Sequence, residues 1–149
     1  MLRGLLLLGL VLTAGLPRGR AEEAGLARYA QVEIAPTRTS IYIGSVSLTM
    51  PSFSRQGGAY VSAYAAKVFP YFFYNEQGTL SIEAPDALLA RLARGETVEF
   101  TGRAVSAGGE ERRIAGKATP RDAATGSLKV RVFVSRRIQL IFNTTYRFR

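Results

Sequence analysis

Ile138-Gln-Leu-Ile-Phe-Asn-Thr-Thr-Tyr-Arg-Phe148, at the C-terminal end of the chain, decides the fold class. Ile138, Leu140, Phe142, Tyr146 and Phe148 fall on one side of an extended backbone, and Gln139, Asn143, Thr145 and Arg147 on the other. A period of two marks a half-buried strand, because successive side chains of an extended chain point to opposite faces.

The same period continues upstream. Leu128, Val130, Val132 and Val134 alternate with Lys129 and Arg131, following a loop at Pro120–Gly126. Arg112–Thr119 puts Ile114, Gly116 and Ala118 on one face, and Thr97–Val105 does the same with Val98, Phe100, Gly102 and Ala104. Gly108-Gly109 between them predicts a hairpin. These two strands share a short repeat, Phe100-Thr-Gly-Arg-Ala104 and Ile114-Ala-Gly-Lys-Ala118. Its glycines are expected to admit a bulky neighbour or to bend a coiling sheet. No helix begins after either, so the repeat is not a phosphate-binding loop.

The N-terminal half is less regular. Gln31–Ala35 reads as a short strand, interrupted by Pro36–Thr39, and Ile41–Thr49 as a central strand apolar on both faces. Pro51 and Gly57-Gly58 mark a turn before a third strand, Ala59–Phe69; Asn75–Gly78 marks another before Thr79–Ala84. One helix is signalled, Pro85–Arg94. Proline opens it without losing a hydrogen bond, Asp86 suits the positive dipole end, and Gly95 can stop it. Leu88, Leu89 and Leu92 form a stripe that should cap an open edge or end of the sheet. A segment this short with two cations is a poor membrane-surface helix. Together these signals predict an all-β chain: an antiparallel sandwich or small barrel of about seven to eight strands with one short helix.

Residues 1–21 read as a signal peptide. Arg3 supplies the positive start, Leu5–Leu16 the apolar stretch, and Gly19-Arg20-Ala21 a small-x-small exit. About 12 apolar residues are too few for a span of about 20, which disfavours an uncleaved anchor. The expectation is cleavage after Ala21, export to the periplasm or the extracellular space, and a single β domain over residues 22–149.

The 149 residues contain no cysteine and no histidine. Stability must therefore come from burial and backbone pairing rather than disulfides, and the commonest general base and metal ligand is missing. Glu76, Glu83, Glu96 and Glu99 show no catalytic spacing, and Glu110-Glu111 beside Arg112-Arg113 reads as turn charge. No catalytic residue, cofactor or metal is expected, and the chain reads as a non-catalytic binding or structural module. Nothing in the sequence fixes an oligomeric state.

Formal charge is +9 at pH 7, unevenly placed. Residues 22–100 carry six Lys or Arg against eight carboxylates, whereas residues 101–149 carry eleven against three. If the last strands are neighbours, Arg103, Arg113, Lys117, Lys129, Arg131 and Arg147 share one face, with Arg136 and Arg137 in an adjoining turn. That basic face is the candidate anion-binding surface, for a cell-envelope polymer, a lipid headgroup or an acidic protein. Against it stands plain solubilisation of a sheet surface. Export disfavours nucleic acid as the partner. The alternative is a small eight-stranded outer-membrane barrel, suggested by the terminal strand but opposed by the outward cations.

Phe69, Tyr71, Phe72, Phe73 and Tyr74, in the densest aromatic cluster, offer a platform for carbohydrate or lipid. Burial energetics favour the plainer expectation that these rings plug one end of the barrel or sandwich. Asn143-Thr144-Thr145 is a formal glycosylation sequon inside a predicted strand and is read as chance.

Overall fold

The computed structural model describes residues 28–149, so the signal-peptide expectation lies outside the described residues. Ten strand segments follow in chain order: β1 Gln31–Ile34, β2 Thr37–Ile41, β3 Gly44–Thr49, β4 Phe53–Gln56, β5 Ala59–Phe69, β6 Glu76–Glu83, β7 Val98–Ser106, β8 Glu111–Pro120, β9 Thr125–Phe133 and β10 Gln139–Phe148. Among the described residues a single α-helix, α1 (Asp86–Ala93), lies between β6 and β7. All pairings are antiparallel, and the sheet closes on itself as an eight-stranded barrel.

Eight staves arise from ten segments because the first two staves are each broken by proline. Gln31↔Ser54 and Val32↔Phe53 in the β1–β4 ladder keep the same register as Thr37↔Leu48 and Ile41↔Gly44 in the β2–β3 ladder. β1–β2 is thus one bent stave and β3–β4 its hairpin partner, interrupted at Pro36 and Pro51, where the missing N–H excludes a continuous ladder. Ala35 still donates its N–H to the Thr145 carbonyl at 3.0 Å, and Thr144 Oγ1 donates to the Ala35 carbonyl at 2.7 Å, which holds the bend against β10. Every stave then neighbours the next in sequence, and β1 closes the ring on β10 through Val32↔Phe148 and Ile34↔Tyr146.

The registers fix the barrel's girth. Following directly paired residues from Gln31 leads through Ser54, Val61, Ser81, Arg103, Arg113 and Phe133 to Gln139. Past the bend at Ala35-Pro36 the first stave continues alongside β10, which sets Gln139 near the end of β2, about ten residues further along the first stave. Eight strands with that stagger are steeply tilted and enclose an interior that side chains fill or that holds one small ligand.

Two sequence expectations need correction. The Ile41–Thr49 run is not one central strand: it turns at Tyr42-Ile43, where Gly44 takes φ +120°, and Pro36–Thr39 belongs largely to a strand rather than an interruption. Asn75–Gly78 is not a turn, because β6 already starts at Glu76; Asn75 instead accepts the Val68 N–H through Oδ1 at 2.8 Å. Strand β4, between the two turn signals, was not expected. The four C-terminal strands and the helix stand where the period and the capping residues put them, with Gly95 at φ +80° closing α1.

Inward positions alternate along every strand, and large rings sit opposite glycines. Phe100 pairs with Gly116, Tyr146 with Gly126, and Tyr64 with Gly78. A Cβ on Gly116 would run into the Phe100 ring, and one on Gly126 into the Thr119 carbonyl and the Tyr146 hydroxyl. Of the repeat's two glycines, Gly116 makes room for a bulky cross-strand neighbour, whereas a Cβ on Gly102 would meet the Ser81 carbonyl and the Ile82 backbone.

One end of the barrel is closed. Leu89 and Leu92 of α1 are buried over Val98, Phe100, Ala118 and Leu128. Beside them Tyr29, Tyr60, Tyr146 and Phe148 form a nest in which Tyr60 Oη donates to the Tyr29 carbonyl at 2.6 Å. Arg55 fixes the helix start, donating from Nη2 to the Ala84 carbonyl at 2.8 Å and to Asp86 Oδ1 at 2.7 Å. Along the strands most charged side chains stand on the outside and most large apolar ones inside.

Candidate functional site

The other half of the barrel is hollow. Inward positions there carry short side chains, among them Val46, Ala66, Val68, Ala104 and Val132, where the closed half carries rings. They leave a cup of ≈ 320 Å³, open at the barrel end opposite α1 and floored by Leu80, Ile114 and Phe142. That is about the volume of ten waters, at the lower end of the range for small-molecule sites.

Three polar side chains, Tyr64, Arg112 and its partner Glu76, interrupt the apolar wall. Tyr64 is 5 % exposed and its hydroxyl has no hydrogen-bond partner. Burial pushes its pKa above the usual phenol value, and the Glu76 carboxylate adds to the rise while Arg112 opposes it. The hydroxyl is therefore a neutral, unsatisfied donor and acceptor shielded just behind the wall of the cup, and a molecule in the cup reaches it when the Tyr64 ring turns toward the opening. Arg112 is the second feature. It faces inward from β8 and is held by Glu110 Oε2 at 2.6 Å, Glu76 Oε1 at 3.6 Å and the Val134 carbonyl at 3.0 Å. A half-buried guanidinium needs such partners to offset lost hydration. Arg112 shares parity with Ile114, so strand period alone could have put it inside; Tyr64 shares parity with Tyr60, but the blurred alanines of β5 hid the pattern.

The aromatic cluster does not plug an end of the barrel. Phe69, Phe72, Phe73 and Tyr74 are 68 %, 76 %, 68 % and 66 % exposed, and they crown the rim of the cup. Phe69 is an outward position at the end of β5, and Phe72–Tyr74 form a 3-10 turn beyond Pro70, too far out to fold back inside. The opposite end is already filled by α1. Tyr71 packs edge-on against Phe73 with centroids 5.9 Å apart, and Phe73 lies 4.6 Å from Tyr74.

The basic residues form three groups. Arg103, Arg113, Lys117, Lys129 and Arg131 share the outer face of β7–β9, with Arg103 directly opposite Arg113 and Lys117 directly opposite Lys129. Arg103 is paired with Glu111 at 2.8 Å, and Arg113 lies over the Phe133 ring at 4.3 Å. Lys117, Lys129 and Arg131 line an outer groove together with Glu83 and Glu99. Arg147 is not with them: it lies outward on β10, near Glu33, Arg121 and Asp122. Arg136 and Arg137 occupy the β9–β10 turn at the open rim.

No family model, curated protein or solved structure matches the chain. The functional reading therefore rests on the geometry alone.

Proposed function

We propose that this is an exported, non-catalytic barrel that holds one small, largely apolar molecule in its open cup, with a hydroxyl or carbonyl group of that molecule bonded to Tyr64. The carrying observation is the Tyr64 hydroxyl, buried and unpartnered behind a largely apolar wall. An unsatisfied buried hydroxyl costs about 1–3 kcal/mol, which a ligand supplying the missing partner recovers. An apolar fluorescent dye such as N-phenyl-1-naphthylamine should bind with emission enhancement, and aliphatic alcohols should displace it. Tyr64→Phe should weaken the alcohols several-fold while leaving the dye unchanged; equal loss for both refutes the role of the hydroxyl.

A second reading keeps an anionic polymer, lipid headgroup or acidic protein surface as partner of the outer β7–β9 face. The observation that favours it is the direct opposition of Lys117 and Lys129, like charges across a ladder of which Lys117 alone has a carboxylate, Glu99, on its other flank. Salt-sensitive retention on dextran sulfate, lost in Lys117→Gln/Lys129→Gln, supports this reading.

The barrel shape also matches the eight-stranded membrane-spanning alternative, but the side-chain partition runs the other way. A spanning barrel needs an outward apolar band, and each Arg or Lys facing lipid at mid-depth costs about 2–4 kcal/mol. Five cations on the outer face of β7–β9 favour an aqueous barrel. Release from membranes by high salt without detergent is the expected result.

A further inference from the structure

Seven of the nine large apolar side chains exposed among the described residues stand at one place, the rim of the cup. They come from three separate connections. The β2–β3 turn contributes Tyr42 and Ile43, which are 101 % and 57 % exposed; the β5–β6 connection contributes its aromatic run; the β9–β10 turn contributes Ile138. These connections meet: Tyr42, Ile43, Tyr71, Arg137 and Ile138 border one surface hollow, and Gly44 packs so closely on the Phe69 carbonyl and Pro70 that no side chain fits there. A contiguous apolar patch on a folded surface marks a contact with something else.

The charges around the patch say what that is. From Thr37 to Gln56, from Ala59 to Asn75 and from Thr125 to Arg149 the chain has no acidic side chain, and on these stretches Arg38, Lys67, Arg136 and Arg137 are the cations nearest the turns; the acidic residues at the same barrel end, Glu76, Glu110 and Glu111, are already paired with Arg112 and Arg103. Tyrosine and phenylalanine beside arginine are the residues of a membrane–water interface, where rings sit at headgroup depth and cations meet lipid phosphate.

We propose that the open rim docks on a bilayer containing anionic lipid, with Tyr42, Phe72 and Phe73 entering the interface and Arg136 and Arg137 on the headgroups. Docked this way, the cup opens toward the lipid and α1 points away from it. The proposal deepens the ligand-cup reading by naming where the ligand is exchanged, but the docking itself is tested without the ligand.

The test is flotation of the purified protein with vesicles of equal phosphatidylglycerol and phosphatidylcholine, compared with phosphatidylcholine alone. Phe72→Ser/Phe73→Ser should weaken vesicle binding at least about tenfold, since affinity follows the apolar area inserted. Arg136→Gln/Arg137→Gln should weaken it about thirtyfold on the anionic vesicles only, from about 1 kcal/mol per cation at the headgroup surface. Lys117→Gln/Lys129→Gln on the outer face should change it less than either. All chains carry the same N-terminal segment, so differences among them isolate the rim. Dye binding in the cup, measured on the same variants, should stay unchanged; if the dye does not bind at all but the rim variants still lose vesicles, the cup reading fails and the docking stands. Vesicle affinity within twofold of the parent in both rim variants overturns the docking. So does a parent protein that sediments as a dimer, becomes monomeric with Phe72→Ser/Phe73→Ser and ignores vesicles.

Discussion

Ala104→Leu should separate the cup from the fold. Ala104 is buried on β7, between Leu80 and Arg112 of the flanking strands, and faces the hollow half of the barrel. Leucine adds three carbons, on the order of 80 Å³, to a cup of ≈ 320 Å³. At ~24 cal/mol per Å³ of cavity removed, filling contributes about 2 kcal/mol, and three methylene-sized groups at ~0.8 kcal/mol each give the same figure. Overpacking a tight core costs about 1–3 kcal/mol, so the sign of the change reports whether the space is there. The expected outcome is a urea midpoint equal to or above the parent's with an unchanged m-value, together with at least about a tenfold loss of dye affinity. A variant destabilised by about 2 kcal/mol or more refutes the cavity, and one that keeps full dye affinity refutes the cup as the binding site.

Leu89→Ala removes the centre of the plug at a site 2 % exposed and should cost about 2–5 kcal/mol, read as a melting temperature lower by about 10 °C or more. Tyr60, Tyr64 and Tyr146 all have pKa values raised by burial, so the unfolded chain ionises first as pH climbs past about 10. Stability is then fully present below that pH and falls above it, by up to about 1.4 kcal/mol per pH unit for each tyrosine, and urea titrations at pH 9 and 11 should show the fall. Asp122 runs the other way. Its carboxylate accepts the Ala124 N–H at 2.9 Å, the Thr125 hydroxyl at 2.9 Å and the Thr125 N–H at 2.8 Å, which holds its pKa below the usual carboxylate range. Its contribution is present above the ordinary aspartate value and lost as pH falls through the lowered one, so amide exchange at Ala124 and Thr125 should quicken only in strong acid.

How legible the fold was depended on which residues carried the signal. β7 to β10 are amphipathic strands one face of which is buried, so Val98, Phe100, Ile114, Leu128 and Phe142 announce their side by alternation alone. The first two staves lack that regularity, because Pro36 and Pro51 break them and the bends carry inward positions from Ile34 to Thr37 and from Met50 to Phe53. A one-residue parity change erases the period a reader follows. The site was less legible still. A cavity is made by side chains that are too short, and Ala66 and Ala104 look alike in sequence whether they line a void or a tight contact. The exposure of Phe72 and Phe73 was also hidden, because apolar content argues for burial unless the connection is known to lie beyond the last rung of the sheet.

Ring closure through the first and last staves bears on how this chain is made. Val32 finds its partner only in Phe148 and Ile34 only in Tyr146, on that edge of the ladder. No fragment lacking β10 can seal the wall, so a nascent polypeptide keeps an unzipped seam until β10 has been made. High contact order of this kind makes the closing of the ring a late event in folding.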